Sequence, residues 1–311
     1  VYHCGEGGLS LAGGDRKTLT PARHNVENNH VHHYSRRGRT YHTGITVSGV
    51  GNRIAPNLVH DGPHMALSAP GNNHLLEYNE IHNVVYESGD AGAYYVGRDW
   101  TQRGNVLRYN YWHDIKGSSS YGGMMIYLDD QHSGHTIHGN LFERCSQAVF
   151  IGGGDDNIVT NNVFLNGRRA AHIDNRGMGW QKDATDDPDG TLRTRLRDMP
   201  IGSEPWKQHY PTLPGILDDD PNVPKRTVCS RNISAGGTWD FLGSDTANPN
   251  DPAANLVHLV ASASPLWYRG PVNLYPIISQ HGSGHIQVAV FDDDAPFGVL
   301  RWTADRDVAV T

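Results

Sequence analysis

HLLEYNEIHN, residues 74–83, returns as NVLRYNYWHD at 105–114, and the match turns on one residue type: Asn79 aligns with Asn110. Four more segments share the frame: NVENNHVHH (25–33), NRIAPNLVHD (52–61), HTIHGNLFER (135–144) and NIVTNNVFLN (157–166). Their anchors are Asn29, Asn57, Asn140 and Asn162, so the six asparagines fall at intervals of 28, 22, 31, 30 and 22 residues. A unit of 22 with loops inserted in some copies accounts for this spacing. Three residues before each anchor stand Val26, Ile54, Leu76, Leu107, Ile137 and Val159. Two residues after it stand Val31, Val59, Ile81, Trp112, Phe142 and Phe164. Both columns are apolar in every copy, as stacked strands that bury one side chain per coil require.

A unit of this length has no room for an ordinary helix plus a strand. Short strands joined by turns fit, each pairing in parallel with the coil above. Parallel crossovers are right-handed in nearly all cases, so the predicted fold is all-β, a right-handed parallel β-helix. The competing solenoid, a leucine-rich repeat, lacks its leucine spacing here. The anchor Asn is expected at a turn, bonded to backbone and to the Asn of the next coil, where it tolerates left-handed φ/ψ. TVCSRNIS (227–234) puts Cys229 three residues before Asn232, which predicts a seventh coil after an excursion over residues 175–223. Cys229 is then a buried packing residue, not a nucleophile. Cys4 lies several coils away, at about 4.8 Å per coil, and cannot pair with it. With Cys145 there are three cysteines, too few and too scattered for a disulfide framework or a zinc site. The β-helix is assigned to residues 1–235, and 236–311 to a C-terminal segment packing on or extending it.

Composition agrees with many tight turns: Gly 36 and Pro 17 in 311 residues, with plentiful Asn and Asp. A net charge of −7 argues against nucleic acid as partner but leaves room for an acidic sugar at a local cluster of the 26 Lys and Arg. No apolar run approaches the roughly 18 residues of a membrane helix, so the chain reads as soluble, without membrane insertion. It begins at Val1 without a signal peptide, and both ends look cut from something longer.

Three residues after the anchors come His32, His60, His82 and His113, then Glu143 and Leu165. A metal needs ligands converging on a point, whereas a column spreads them along the axis. The column is therefore read as imidazoles stacked on a turn and hydrogen-bonded to backbone, with no metal.

Between anchors each coil holds a second strand: GITVS, MALSA, AYYVGRD, MIYLDD, AVFIGG and AHIDNRG. Aligned in parallel, Tyr95, Tyr127, Phe150 and His172 share one column, and Gly97, Asp129, Gly152 and Asp174 the next on the same face. Val96, Leu128, Ile151 and Ile173 alternate with them and should point inward. The outward surface is thus lined by Tyr95, Tyr127, Asp129, His172 and Asp174. Rings for the C–H faces of sugars and carboxylates for their hydroxyls suit a glycan. Glu87, Asp90, Asp99, Asp129, Asp130 and Asp174 gather here, and crowding should keep at least one protonated. A glycosidase needs that pairing of carboxylic acid and carboxylate. For any single Asp, turn capping is an equal reading, and structural calcium at LDDQ or GGGDDN is another. The triple glycine 152–154 has no following helix or Lys to make a phosphate loop; it clears space beside the site or makes the turn.

EYNEIHNVVYESGDAGAYYVGRDWTQRGNVLRYNYWHDI, IYLDDQHSG, AVFIGGGDDNIVTNNVF and AHIDNRGMGW, in that order, resemble the β-helix domain of glycoside hydrolase family 141 over residues 5–235. The likeness thins to about 275 and ends there. It implies enzymes acting on fucosyl linkages in pectin or on xylan, with a catalytic pair of aspartates in GDAGA and YLDD. These map to Asp90 and to Asp129 or Asp130. In the excursion, TLRTRLRDM reads as a short helix, and Trp180 and Trp206 either stack on sugar or anchor the loop. His64, Arg98 and His172 fall on or near the face. Arg98 has two readings, a uronate ligand or an ion pair with a neighbouring Asp.

The expected function is a glycoside hydrolase working without a metal on a pectic, fucosylated or xylan-type cell-wall polysaccharide, hence secreted or periplasmic. A polysaccharide lyase or uronate epimerase is the alternative, weakened because none of the five lysines lies in the strand columns. A glycan-binding solenoid without catalysis is the third reading.

Overall fold

The asparagine repeat builds a ladder. In the computed structural model, Nδ2 of Asn29 donates to Oδ1 of Asn57, and the same bond runs on through Asn79, Asn110, Asn140, Asn162 and Asn232 at 2.9–3.1 Å. The other Nδ2 hydrogen goes one coil back, to the carbonyl of the apolar residue three before the previous anchor. Val26, Ile54, Leu76, Leu107, Ile137 and Val159 accept in turn. Buried amides are thereby satisfied by their own repeat, and Asn232 opens the predicted seventh coil.

Left-handed backbone belongs not to the anchor but to the residue before it. Asn28, Tyr78, Tyr109, Gly139, Asn161 and Arg231 have φ between +55° and +63°. Pro56, whose ring fixes φ negative, is the exception. The anchor itself opens or immediately precedes a strand, because its side chain must lie along the stack to meet the next coil.

The structure describes residues 1–119 and 122–235, and beyond them the backbone of strands 238–241, 256–259, 279–281, 285–292, 295–303 and 308–310. Three parallel sheets form the coil walls. A nine-stranded sheet runs from Leu9–Gly13 to Thr238–Phe241, an eight-stranded one from Asn29–His32 to Leu256–Leu259, and a seven-stranded one from Asn25–Val26 to Val228–Ser230. Register follows the repeat: Ile81 lies between Val59 and Trp112, and Leu107 between Leu76 and Ile137. Both apolar columns and Val96, Leu128, Ile151 and Ile173 fill one axial core. Cys229 sits there beside Val159, buried, its thiol pushed up to about 12 by desolvation. All three cysteines are free. Strands between Ser279 and Val310 form a separate antiparallel sheet. Among the described residues no helix is long and apolar enough to cross a membrane.

A second ladder occupies the corner five residues before the anchors and escaped the sequence reading. Backbone N–H groups of His24, Asn52, His74 and His135 donate to side chains of Asn52, His74, Asn105 and Asn157 in the next coil, at 2.9–3.1 Å. Asn and His alternate because each offers an acceptor at the same reach. On the eight-stranded sheet His32, His60, His82 and His113 stack with ring centroids 4.6–5.2 Å apart.

The excursion folds into three short helices, Lys182–Asp186, Thr191–Arg197 and Glu204–His209, the second where TLRTRLRDM predicted it. Leu192, Leu196, Trp206, Tyr210, Leu213 and Ile216 pack with Leu19 and Trp100 into a second core. Arg195 donates to the carbonyls of Gly97 and Arg98 at 3.1 and 2.8 Å. The excursion therefore lies over the downstream ends of the nine-stranded sheet.

Candidate functional site

Four strands of that sheet, Ala91–Gly97, Gly123–Asp129, Gln147–Gly152 and Arg169–Asp174, carry the predicted columns in the predicted register. Tyr95 pairs with Tyr127, Tyr127 with Phe150 and Phe150 with His172; Gly97 pairs with Asp129 and Gly152 with Asp174. The rings follow suit, edge-on from Tyr95 to Tyr127 and stacked from Tyr127 through Phe150 to His172, at 4.3–5.4 Å. The excursion covers most of this ladder: Tyr127 and Phe150 are buried, while Tyr95 and His172 are partly open.

The organising residue is Arg176, which the sequence reading passed over. It starts the excursion in a 3-10 turn, Arg176–Met178, two residues beyond Asp174. Its guanidinium lies over Gly152, where any side chain would collide with it. Nη1 reaches Asp129 Oδ1 at 2.6 Å and Asp130 Oδ1 at 2.9 Å, and Nη2 reaches Asp174 Oδ2 at 2.8 Å. The Phe150 ring lies on one side at 5.1 Å from Cζ and the Trp180 ring at 5.4 Å. The hole signalled by a glycine between two column aspartates was the clue to such a residue.

Around this centre Tyr95 donates to Asp129 Oδ2 at 2.7 Å, Gln181 donates to Asp130 Oδ1, and Arg98 sits 2.5 Å from Asp130 Oδ2. The Arg98 contact is an ion pair. Arg98 thus takes the ion-pair reading, from an exposed position. Burial, with Asp129 beside it, pushes the Asp130 carboxyl above the ordinary range against the pull of Arg98 and Arg176. Burial and Asp129 raise the Tyr95 hydroxyl, and the same two causes act on Tyr127. Trp180 is 75% exposed and available to a ligand.

Other expected site residues lie elsewhere. Asp90 precedes the strand at its upstream end, with its N–H on the Gly122 carbonyl. Seven residues of extended chain separate it from the Asp129 register, roughly 20 Å at about 3.3 Å per residue. Asp90 and Asp129 or Asp130 therefore do not form a pair. Glu87 pairs with Arg39 (Nε to Oε2, 2.7 Å), and His64 is buried against Tyr41, near the same upstream end. Asp99 is 2% exposed and caps its own turn, accepting from Thr101 N at 2.8 Å and Thr101 Oγ1 at 2.5 Å. Trp206 is fully buried, with Nε1 donating to the Lys17 carbonyl, so it anchors the loop. In GGGDDN, Asp155 and Asp156 accept from Arg226 at 2.7 Å each.

A family model described as "Right handed beta helix region" matches residues 1–164, more than half of the chain. The chain belongs to that family. No curated protein and no solved structure matches it. Right-handed β-helices occur among polysaccharide-degrading enzymes and among non-enzymatic proteins, so the fold alone assigns no function to this β-helix.

Proposed function

We propose that this β-helix is a glycoside hydrolase that cleaves a pectic, fucosylated or xylan-type cell-wall polysaccharide outside the cytoplasm. The observation that carries the reading is the meeting of Asp129 and Asp130 on one nitrogen of Arg176. At 2.6 and 2.9 Å from Nη1, their Oδ1 atoms are no more than about 5.5 Å apart, side by side and within the upper limit of a retaining carboxylate pair, about 5–5.5 Å. Asp130, with its raised carboxyl, protonates the leaving oxygen. Asp129, held by Tyr95 and Arg176, acts as its carboxylate partner, and Trp180 stacks on a sugar ring. The resemblance to glycoside hydrolase family 141 supports the same chemistry, with Asp130 in place of Asp90 in the pair.

Lyase or epimerase chemistry needs a base that takes a proton beside a carboxylate. Tyr95 and Tyr127, with raised hydroxyls, and Arg176, held charged by Asp174, are poor bases. A specific observation favours one other reading, a glycan-binding solenoid: both oxygens of Asp129 and of Asp174 already have partners.

Pectic, xylan and fucosylated polysaccharides incubated with the protein should yield new reducing ends. Asp129→Asn and Asp130→Asn should each lower the rate by about 100-fold or more in folded protein. Binding without reducing ends on any substrate overturns hydrolysis in favour of the solenoid reading, and an ultraviolet-absorbing unsaturated product overturns it in favour of a lyase.

A further inference from the structure

On the eight-stranded sheet, the histidine column is not alone. Glu80 stands two residues before His82 on the strand Glu80–Val84, hence on the same face, and His113 pairs directly with His82 from the next coil. One ligand atom from each of the three lies within 4.8 Å of the other two. A column of histidines spreads its nitrogens along the axis, but a carboxylate in the neighbouring column turns two of them into a triangle.

We propose that Glu80, His82 and His113 bind a divalent late transition-metal ion, of which Zn²⁺ best matches two imidazoles and a carboxylate. The decisive feature is a mismatch between His113 and Glu80. Nδ1 of His113 lies 2.7 Å from Asp114 Oδ2, and Asp114 is itself gripped by Arg144 through both carboxylate oxygens, at 2.7 and 2.8 Å. That fixes Nδ1 as the donor and turns Nε2, with its lone pair, toward Glu80 Oε1 at 3.2 Å. Two acceptors face each other, so a cation has to sit between them: a proton, or a metal. Ligands about 2.0–2.1 Å from tetrahedral zinc are about 3.3 Å apart, which this pair already meets. The carboxylate behind the imidazole is the support that metal-ligating histidines ordinarily have. The His82 ring is stacked between those of His60 and His113 and has no hydrogen-bond partner among the described residues, so turning toward the ion breaks no side-chain bond. The remaining coordination positions fall to water, since Glu80 is exposed.

A neighbouring pair, His30 Nε2 and His60 Nε2 at 2.6 Å, is the site the test has to distinguish. Calorimetric titration of the whole chain with Zn²⁺ alone should show one ion bound. Glu80→Gln and His113→Gln should each weaken it about tenfold or more, while His30→Ala leaves it unchanged. Binding indifferent to Glu80→Gln and His113→Gln, or lost with His30→Ala, overturns the proposal. If either Gln variant melts early without metal, electron paramagnetic resonance of the Cu²⁺-loaded wild type decides. Hyperfine splitting from two nitrogens is expected, and splitting from one, or from three or more, overturns the site.

Discussion

Arg176 occupies the place of the side chain that Gly152 lacks: a Cβ at Gly152 would run into Cζ and Nη2 of the guanidinium. Gly152 lies in register between the coils of Asp129 and Asp174, so the missing side chain lets one cation bridge carboxylates two coils apart. Gly152→Ala should push Arg176 off Asp129, Asp130 and Asp174 and leave the buried Asp130 carboxyl facing one cation fewer. Overpacking of this kind costs about 1–3 kcal/mol, to be read from urea unfolding, and hydrolysis should fall with it. Unchanged stability together with unchanged activity would sink the account of Arg176 as the centre of the site.

The two anchor-aligned columns, the asparagine ladder and the ring column were legible because each repeats one residue property at one position, which is what a solenoid imposes. Arg176 was not legible, since it occurs once and acts across coils from an insertion that breaks the repeat. Asp90 misled for the opposite reason. Adjacent coils bring equal register positions together, and GDAGA and YLDD sit in adjacent coils but at opposite strand ends. Trp206 and Asp99 could not be placed from sequence because burial by the excursion, a tertiary event, decides whether they face a ligand. The second ladder, in contrast, was in plain view: His24, Asn52, His74, Asn105, His135 and Asn157 stand five residues before the anchors.

The asparagine ladder makes a quantitative demand in the middle of the stack. Asn110 accepts from the N–H and Nδ2 of Asn79 and donates to Leu76 O and Asn140 Oδ1, all buried. Asn110→Ala strands donors and acceptors in both neighbouring coils, at about 1–3 kcal/mol for each buried group left unpaired. Chemical denaturation should show a loss of at least about 3 kcal/mol. Asn29→Ala, at the open end of the ladder, should cost clearly less; equal losses would mean the ladder carries no cooperative load.

His74 makes stability depend on pH in a direction that can be worked out. Burial holds its imidazole neutral, lowering it to about 4, whereas in the unfolded chain it titrates near 6.5. The unfolded state therefore takes up the proton first. The stability from this group is intact above about pH 6.5 and is lost as pH falls from there to about 4. His132, lowered to about 3, adds in the same sense. Asn serves the same ladder role at Asn52 and Asn105, so His74→Asn should keep the Asn52 N–H satisfied and remove the titration. Relative to wild type, the variant should gain about 2 kcal/mol between pH 8 and pH 5. A pH-independent difference between the two proteins would rule this out.

The two tryptophans of the excursion separate binding from anchoring. Trp206 has no exposed surface and holds the second core to Lys17, so Trp206→Ala should cost about 3–5 kcal/mol of local packing. Protease cleavage within residues 175–223 should accelerate, and activity should fall because Arg176 and Gln181 enter the site from this segment. The Trp180 ring lies against the guanidinium of Arg176 and is 75% exposed, so Trp180→Ala should leave the unfolding free energy within about 0.5 kcal/mol of wild type. Its effect should appear in KM for polysaccharide instead, because a stacking platform for a sugar ring acts on binding before chemistry. A Trp180→Ala protein with unchanged KM, or one that unfolds early, would assign Trp180 to the loop and remove it from the glycan surface.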